Sequence, residues 1–320
     1  MTMNASPPAV SVIVPAWGVA HLVGEALTSL QAQSFGDWEA IVIDDGAPDD
    51  VAGAVAPFVA ADPRIRFLAT GNGGLSAARN RAIAASRAPL IALLDGDDQY
   101  RPDYLERMVA AIRAAPDLGI ISCDAIYSGQ PSREGRRFSE YHGQAKPPTL
   151  AGLLDRSFNV FVAAIMRREA FEATGGFDES LPAAEDFDMW LRIVEQGWRV
   201  AQVPEPLAIY RRRPGSLSSA TRQLRLATAR VYEKAAARLA GRPEAAIATA
   251  MMEQMRREAG WAEGEELVLT GRTSAGLSLL HRHRAGGRSP RWRVMMGLFR
   301  AVPPLAGPVL RWRRRREGDI

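Results

Sequence analysis

Three carboxylates follow one apolar run in the segment "PLIALLDGDD", where Asp95, Asp97 and Asp98 lie within four positions. Like charges repel one another at a strand end, and a divalent cation is the ordinary neutraliser. Mg²⁺ and Mn²⁺ take carboxylate oxygens, and Mg²⁺ often bridges one or two carboxylates to substrate phosphates. The pattern predicts a site for a cation and a diphosphate, although a solvated turn would also account for a lone Asp-x-Asp pair.

Two further segments place polar groups where a nucleotide could bind. "IVIDDG" ends in Asp44 and Asp45, which can accept hydrogen bonds from a ribose or a base, or can cap a turn and a helix. In "GNGGLSAARN", Gly74 precedes a helix that carries Arg79, and a glycine there permits close backbone approach to phosphate. The glycines match neither a G-x-G-x-x-G fingerprint nor a P-loop, which disfavours a Rossmann oxidoreductase.

A second group of carboxylates, Glu185, Asp186 and Asp188 in "PAAEDFDMWLR", opens an amphipathic helix. The helix dipole favours acidic residues in a first turn, which is reason enough for one of the three. A carboxylate here can also act as a general base that takes the proton from an attacking hydroxyl. The two interpretations remain open at this point.

The elements that must position these groups are apolar strands that alternate with helices through the first hundred residues. The four strand segments are "AVSVIVPA", "WEAIVIDDG", "RIRFLAT" and "APLIALLD". Strands that are apolar almost throughout predict a parallel sheet covered on both faces, with ligands bound beyond the carboxyl ends of the strands. Further along, "RVAQVPEPLAIY" predicts a strand, a turn and a strand, and residues 128–150 predict a loop.

Six segments, taken together in order and spacing, resemble the family 2 glycosyltransferases, which have the GT-A fold: a Rossmann-like, mostly parallel sheet flanked by helices. The resemblance covers about residues 9 to 219 and implies an inverting enzyme. Such an enzyme moves a hexosyl or acetylhexosaminyl group from a UDP-, GDP- or dTDP-sugar to a hydroxyl of a glycan or lipid-linked acceptor, with Mn²⁺ or Mg²⁺ as cofactor. Synthesis of cell-surface polysaccharide or glycolipid is the implied setting. The segments are "VSVIVPAWG", "SLQAQSFGDWEAIVIDDGAPDD", "GNGGLSAARNRAIAASRAPLIALLDGDD", "GGFDE", "EDFDMWLR" and "YRRRPGSLS".

The resemblance also implies roles for single residues. Asp186 would be the catalytic base, and Asp97 and Asp95 would hold the metal. Many relatives have His where this chain has Arg213, and an arginine cannot ligate a cation but can bind phosphate directly. Residues implied in binding the donor nucleotide are Pro15, Trp17, Asp44, Asp45, Gly74, Arg79 and Asp95. Candidates for diphosphate or acceptor contacts are Arg213, Glu185, Asp178 and Asp98.

Two other functions fit parts of the pattern. A sugar-1-phosphate nucleotidyltransferase usually has a Gly-rich, Lys/Arg-containing loop after the first strand, and "PAWGVAHLVGE" has none. A non-catalytic nucleotide-binding protein would have no donor turnover for the Asp186→Asn change to abolish.

Composition is that of an ordinary globular protein, with 47% hydrophobic and 24% charged residues among 320. The single cysteine, Cys123, excludes an internal disulfide framework and fits a reducing compartment. The first residues lack the features of a signal peptide, and no run reaches the roughly 18–20 apolar residues of a spanning helix. We therefore expect a cytoplasmic protein.

Charge is divided unevenly along the chain. Residues 282–320 hold 11 arginines and 2 acidic residues, a net charge of +9, whereas the rest carries 29 − 34 = −5. We expect a GT-A domain over residues 1–219 (donor half about 9–100, acceptor half about 101–219), a helical extension over 220–285 and a basic amphipathic tail over 286–320. The tail sets Trp292, Phe299 and Trp312 among arginines, which predicts binding to an anionic membrane surface at the inner face of the membrane. A poorly packed terminus is the alternative, and nucleic acid is not expected because no recognition motif accompanies the charge.

Overall fold

The computed structural model describes residues 6–145, 147–213, 221–283 and 290–317. The chain divides into two compact units. The sheet unit comprises residues 1–128 and 134–211, and the helical unit comprises residues 129–133 and 212–320. The predicted boundaries at residues 219 and 286 lie outside the described residues.

The sheet unit contains one sheet of eight strands, in the order β3-β2-β1-β4-β7-β6-β8-β5. Its strands are β1 (Val10–Ala16), β2 (Trp38–Asp45), β3 (Ile65–Thr70), β4 (Leu90–Leu93), β5 (Gln99–Tyr100), β6 (Leu118–Ser128), β7 (Ala164–Arg167) and β8 (Arg199–Arg211). Its helices are α1 (Val23–Gln31), α2 (Val51–Ala61), α3 (Leu75–Ala84), α4 (Tyr104–Ala114), α5 (Leu150–Leu154), α6 (Arg168–Ala173) and α7 (Glu185–Glu195).

Strands β1 to β4 pair in parallel, as do β6 and β8, whereas β7 is antiparallel to both of its neighbours and β5 is antiparallel to β8. Because two antiparallel steps restore the original direction, β6 and β8 end at the same edge of the sheet as β1 to β4. The sheet is therefore mixed, and the predicted Rossmann-like α/β architecture with a mostly parallel sheet is confirmed. Six strand ends converge on one edge, which is where such a sheet binds its ligands.

Burial explains why these segments form these elements. Every residue of β1 is buried, as expected for a strand covered on both faces. In α1, the residues that reach the core are Val23, Ala26, Leu27 and Leu30, at the spacing of one helical face. The core of the sheet unit thus follows the apolar pattern of the sequence.

The prediction of a turn within "RVAQVPEPLAIY" was wrong, because β8 is one continuous strand. Its pairing with β6 shifts register between Cys123 and Asp124, opposite Val203 and Pro206. Proline donates no hydrogen bond and is tolerated at bulges and open edges. On its other side β8 pairs with β5 through Ala208 and Ile209, so the prolines face no β5 partner and shift the register without ending the strand. In the predicted loop, residues 138–140 form a short 3₁₀ helix.

The helical unit contains α8 (Thr221–Arg238), α9 (Glu244–Leu269), α10 (Thr273–Arg282), α11 (Pro290–Ala301) and α12 (Ala306–Glu317). Two glycines allow α9 and α10 to cross closely, since a Cβ on Gly276 would lie 2.6 Å from the Gly264 carbonyl oxygen. Phe299 and Leu310, from the predicted tail, are buried with Trp261 of α9. Within the described part of the chain, no helix combines the length and the apolar character needed to cross a bilayer.

Candidate active site

The acidic turn after β4 is anchored to the end of β1. Gly96 N–H donates to the Pro15 carbonyl at 3.2 Å, and a Cβ on Gly96 would lie 2.9 Å from that same oxygen. A glycine is required here because the two backbones approach so closely. Asp95 and Asp97 are half-buried beside this contact, and Asp98 is buried.

Arg79, near the middle of α3, joins the two carboxylate groups that the sequence singled out. Its Nη2 donates to Asp95 Oδ1 at 2.6 Å, and its Nη1 donates to Glu185 Oε1. The side chain is fully buried, which alone would lower its pKa, but the charges of Asp95, Glu185 and Asp186 raise the pKa on balance. A permanently charged, fork-shaped donor is therefore clamped between the end of β4 and the start of α7.

The first two residues of α7, Glu185 and Asp186, both have raised pKa values. Burial raises the pKa of Glu185 to about 7, against the opposing charge of Arg79. Burial also raises the pKa of Asp186, although Arg79 and the Phe187 N–H, 2.7 Å from Asp186 Oδ1, oppose the shift. A carboxylate with a raised pKa accepts a proton more readily near neutral pH, which is what a general base requires. Asp188 instead bonds Arg192 at 2.7 Å within the helix.

Asn80 holds the segment before α7 against α3. Its Nδ2 donates to the Phe177 carbonyl at 2.9 Å, and its Oδ1 accepts from the Phe177 N–H at 2.8 Å. The Phe177 ring in turn lies 5.6 Å from the Arg79 guanidinium carbon. Asn80 was not among the residues predicted from the sequence, and the available signal was its position directly after Arg79 in "AARN".

The two carboxylates at the end of β2 hold a loop in place. Asp45 is buried and accepts hydrogen bonds from the Gly73 N–H at 3.0 Å and the Gly74 N–H at 2.7 Å, with Arg81 Nη1 at 3.3 Å. Asp44, which is half-buried, accepts from the Ala47 N–H at 2.8 Å. Gly74 has φ +85°, a backbone that glycine adopts without strain. The turn-capping interpretation accounts for both carboxylates, and their contact with a nucleotide stays a prediction.

The loop after β1 presents an aromatic ring to solvent. Trp17 is 53% exposed, whereas Pro15 is buried within β1. The loop is held by Asp49, whose carboxylate accepts from the Gly18 N–H at 3.1 Å and the Ala20 N–H at 2.7 Å. Trp17 thus lies exposed just beyond the end of β1, and its contact with a nucleobase stays a prediction.

Three further candidates lie in different settings. Asp98 accepts from the Arg211 N–H at 2.8 Å, and burial, together with the charges of Asp97 and Asp95, raises its pKa well above the ordinary value. Asp178 caps a turn by accepting from the N–H and the hydroxyl of Ser180. Arg213 is half-buried at the beginning of the second segment of the helical unit, and its contact with a diphosphate stays a prediction.

The carboxylates after β4 fit a cation whose coordination shell is completed by the substrate. Among the described residues no group of three or more His, Cys, Asp or Glu side chains is arranged to hold a metal ion. One oxygen of Asp95 is engaged by Arg79, and Asp97 is half-buried two residues further on. Mg²⁺ commonly binds through one or two carboxylates, with phosphates and water supplying the remaining ligands. Asp97 and Asp95 suit that kind of site.

An arginine that the sequence analysis missed lies near the start of α7. The guanidinium carbon of Arg156 lies 4.5 Å from the centre of the Phe187 ring, and its charge acts on Asp186. Its backbone is left-handed, with φ 65°. No local pattern marks Arg156, because it lies in an irregular segment and its contacts with α7 are tertiary.

The eight-stranded mixed sheet flanked by helices matches the GT-A fold of similar solved glycosyltransferases. The chain belongs to glycosyl transferase family 2, whose sequence profile matches residues 11–175, more than half of the chain. A second profile, "Glycosyltransferase like family 2", matches residues 141–240. The predicted family membership is therefore confirmed.

Relatives include proteins named for polysaccharide synthesis. The chain is 33% identical over 221 residues to the uncharacterised glycosyltransferase EpsJ of Bacillus subtilis (strain 168). The alignment covers 66% of this chain and 63% of EpsJ. It is 32% identical over 231 residues to the succinoglycan biosynthesis protein ExoO of Rhizobium meliloti (strain 1021), which covers 67% of this chain and 64% of ExoO. The matches therefore span just under two thirds of these relatives.

Two solved structures share the fold. The mannosyltransferase PcManGT from Pyrobaculum calidifontis, in complex with GDP-Man and Mn²⁺, superposes with a TM-score of 0.63 at 19% identity, covering 98% of this chain and 85% of PcManGT. S. aureus TarS 1–349, in complex with UDP-GlcNAc, superposes with a TM-score of 0.61 at 17% identity, covering 86% of this chain and 80% of that one.

Proposed function

We propose that this protein transfers a sugar from a nucleoside-diphosphate sugar to a hydroxyl acceptor, with inversion at the anomeric carbon. The acceptor is a glycan or a lipid-linked glycan of a cell-surface polysaccharide or glycolipid, in line with the name of the relative ExoO. The sugar is a hexosyl or acetylhexosaminyl group carried by UDP, GDP or dTDP. The fold neighbours were solved with GDP-Man and with UDP-GlcNAc, so the likeness leaves the base open.

The observation that carries this proposal is the buried bridge from Asp95 through Arg79 to Glu185. It brings the acidic turn after β4 close to Asp186, although the two lie far apart in sequence. The reaction needs a charged site for the leaving diphosphate and a base for the incoming hydroxyl, and the bridge joins two carboxylate groups suited to these roles.

The chemical step follows from these positions. Asp186 takes the proton of the acceptor hydroxyl while the oxygen forms a new bond to the anomeric carbon. The bond from that carbon to the diphosphate oxygen breaks, and its electron pair leaves with the nucleoside diphosphate. Arg79 fixes Asp95 and Glu185, so the base and the diphosphate site keep a set separation. The loop around Gly74 and the exposed ring of Trp17 bind the nucleotide in this proposal, because both lie near the ends of the parallel strands.

Asp97 and Asp95 would hold Mg²⁺ or Mn²⁺ together with the donor diphosphate. The bound cation would neutralise the charge that the leaving group gains. This assignment rests on the chemistry of the two carboxylates and on the Mn²⁺ in the PcManGT complex.

Binding and turnover test the donor site and the base separately. We expect one of the UDP-, GDP- or dTDP-sugars to raise the melting temperature of the wild-type protein, more strongly with Mn²⁺. Asp186→Asn should retain that shift but lose about 10²–10⁴-fold in donor turnover, the usual contribution of a general base. Asp117→Asn, the same change at an exposed site paired with Arg199, is the matched control.

Either half of the proposal can fail by itself. If none of these sugars changes the melting temperature under any metal condition, the donor site is misassigned. If Asp186→Asn turns over donor as fast as the wild type, Asp186 is not the base.

We also propose that α11 and α12 place the protein on an anionic membrane surface, at its cytoplasmic face. Leu298 and Trp312 are 47% and 58% exposed, and Val302 and Leu305 are exposed between them. Exposed Arg300 and Arg311 accompany these side chains, and residues 282–320 as a whole carry a net charge of +9. Apolar groups beside arginines match a bilayer with anionic headgroups.

Point changes test this surface better than truncation, because Phe299 and Leu310 belong to the core of the helical unit. Leu298→Glu should reduce flotation with vesicles of phosphatidylcholine and phosphatidylglycerol. Val59→Glu, at an exposed apolar position on α2, should float like the wild type. Flotation of Leu298→Glu equal to the wild type, or equal binding to pure phosphatidylcholine vesicles, would exclude this surface.

A further inference from the structure

Two residues with strained backbone lie beside the proposed base. Among the residues that the structure describes, the non-glycine residues with positive φ are Arg156, at 65°, and Ala184, at 60°. Ala184 directly precedes α7, and Arg156 contacts the ring of Phe187, the residue after Asp186. A left-handed backbone costs a non-glycine residue free energy and persists where its surroundings fix it, often at a functional site.

The backbone of Arg156 is held from two sides. Its carbonyl accepts from Asn159 Nδ2 at 2.9 Å, and Asn159 is buried. Gly143 packs on the other side, where a Cβ would lie 2.7 Å from the Arg156 carbonyl oxygen. Residues 143–145 also pair with residues 157–159, through the Ala145 N–H to the Ser157 carbonyl and the Asn159 N–H to the Gly143 carbonyl. These contacts thus fix the backbone of Arg156 in its left-handed conformation.

The guanidinium of Arg156 packs against an aromatic ring and acts on Asp186 through its charge, without forming a direct ion pair with it. The side chain is exposed, and no ion pair joins it to any carboxylate in the described ranges. The Phe187 ring supports the guanidinium at a cation–π distance. Its planar N–H donors match the oxygens of a carboxylate or a phosphate.

We infer that Arg156 binds an anionic group of the acceptor, a carboxylate or a phosphate, next to the hydroxyl that Asp186 deprotonates. The inference rests on the proposed function, because it takes the side of Asp186 as the acceptor side. In a single displacement the attacking hydroxyl and the leaving diphosphate lie on opposite faces of the sugar. An accessible cation beside the base therefore meets the acceptor, whereas Arg79 is buried and is committed to Asp95 and Glu185.

Direct binding of matched acceptor probes tests this without any turnover. The probes are p-nitrophenyl β-D-glucoside, the corresponding glucuronide and the corresponding 6-phosphate, with the same three compounds in the galactose series. Binding is measured by saturation-transfer NMR. We expect the wild type to bind an anionic probe roughly tenfold or more tightly than its neutral parent. The glucuronide and phosphate arms distinguish a uronic acid from a phosphorylated acceptor.

Variants assign the preference to Arg156. Arg156→Asn removes the charge with a residue that tolerates a left-handed backbone, and it should abolish the preference while leaving binding of the neutral probe unchanged. Arg156→Lys should retain part of the preference. Arg113→Gln, at an exposed arginine on α4, should behave like the wild type.

Three results would overturn the inference: no binding of any anionic probe to the wild type, equal binding of anionic and neutral probes, or an unchanged preference in Arg156→Asn. A shift in the pH profile of turnover without a change in probe preference would assign Arg156 to screening Asp186 instead. Failure of the proposed function would appear elsewhere, as donor turnover that Asp186→Asn leaves intact.

Discussion

The ends of β2 and β4 look alike in sequence but are used differently. Each strand ends in carboxylates, and each end is met by an arginine of α3. Asp45 faces Arg81 and the N–H groups of Gly73 and Gly74, whereas Asp95 faces Arg79. The first arginine side chain is 44% exposed and the second is 1% exposed.

The difference lies in what neutralises the charge. At β2 the backbone of one loop supplies most of the donors, so the carboxylate is committed to shaping that loop. At β4 a single buried guanidinium serves Asp95 and Glu185, and Asp97, Asp98 and Asp186 lie nearby. Burial, together with the neighbouring carboxylates, raises the pKa values of Asp98, Glu185 and Asp186. The second site thus retains excess negative charge, which favours a bound cation.

The largest effect should come from Arg79→Leu, since it leaves two partners of a buried ion pair without a cation. Breaking such a pair typically costs about 3–5 kcal/mol of unfolding free energy. Arg81→Leu, two residues along α3, removes an exposed arginine and should cost about 1 kcal/mol or less. Urea denaturation of both variants at pH 8 measures the contrast directly.

The pH dependence of Arg79→Leu sharpens the test. Because the pKa of Glu185 is about 7 even beside Arg79, that carboxyl is protonated at pH 5.5 and then needs no cation. The loss in Arg79→Leu should therefore be smaller at pH 5.5 than at pH 8. An equal loss at both pH values would show that Glu185 does not carry the uncompensated charge.

Sequence pattern alone was sufficient for the architecture and for the residues at the strand ends. The apolar strands, the helical spacing in α1 and the acidic turn at Asp95 are local features that a single pass along the chain reveals. The continuity of β8 was not predictable in the same way, because its prolines are tolerated only where β5 leaves the neighbouring edge open.

The pairing of side chains within the site was also not predictable from the sequence. Arg79 lies 16 positions from Asp95 and 106 from Glu185, and nothing local says that one guanidinium will serve both. Likewise, Asp45 could have faced a nucleotide or a loop, and only the fold brings Gly73 and Gly74 to it. Arg156 lies in no motif, and the role proposed for it depends on the tertiary contact with Phe187.

A smaller loss of unfolding free energy is expected for Asp45→Asn at the end of β2, where backbone N–H groups supply most of the hydrogen bonds to the carboxylate. Asp45→Asn keeps an acceptor oxygen but loses the charge, and hydrogen bonds to charged groups contribute about 1.5–3 kcal/mol. We expect part of that loss in unfolding free energy, with faster amide hydrogen exchange at Gly73 and Gly74. Asp44→Asn, which alters one bond to the Ala47 N–H, should leave both amides protected. Unchanged exchange in Asp45→Asn would show that the carboxylate does not hold the loop.

An effect of opposite sign is expected for Asp98→Asn. The asparagine oxygen can still accept from the Arg211 N–H, and a buried like charge beside Asp97 and Asp95 is removed. Because burial raises the pKa of Asp98 in the folded protein, the folded state binds more protons than the unfolded state between the ordinary and the raised pKa. Stability of the wild type therefore falls as pH rises through that interval, and the variant escapes this loss.

Melting temperatures across a pH series measure this escape. Asp98→Asn should match the wild type at acid pH, where the carboxyl is protonated in both states, and should become the more stable protein as pH rises. Asp103→Asn, at an exposed aspartate just before α4, is the control and should show no such divergence. A wild type that is more stable than Asp98→Asn at high pH would mean that the negative charge of Asp98 is compensated within the folded protein, and that the β4 end is as well neutralised as the β2 end.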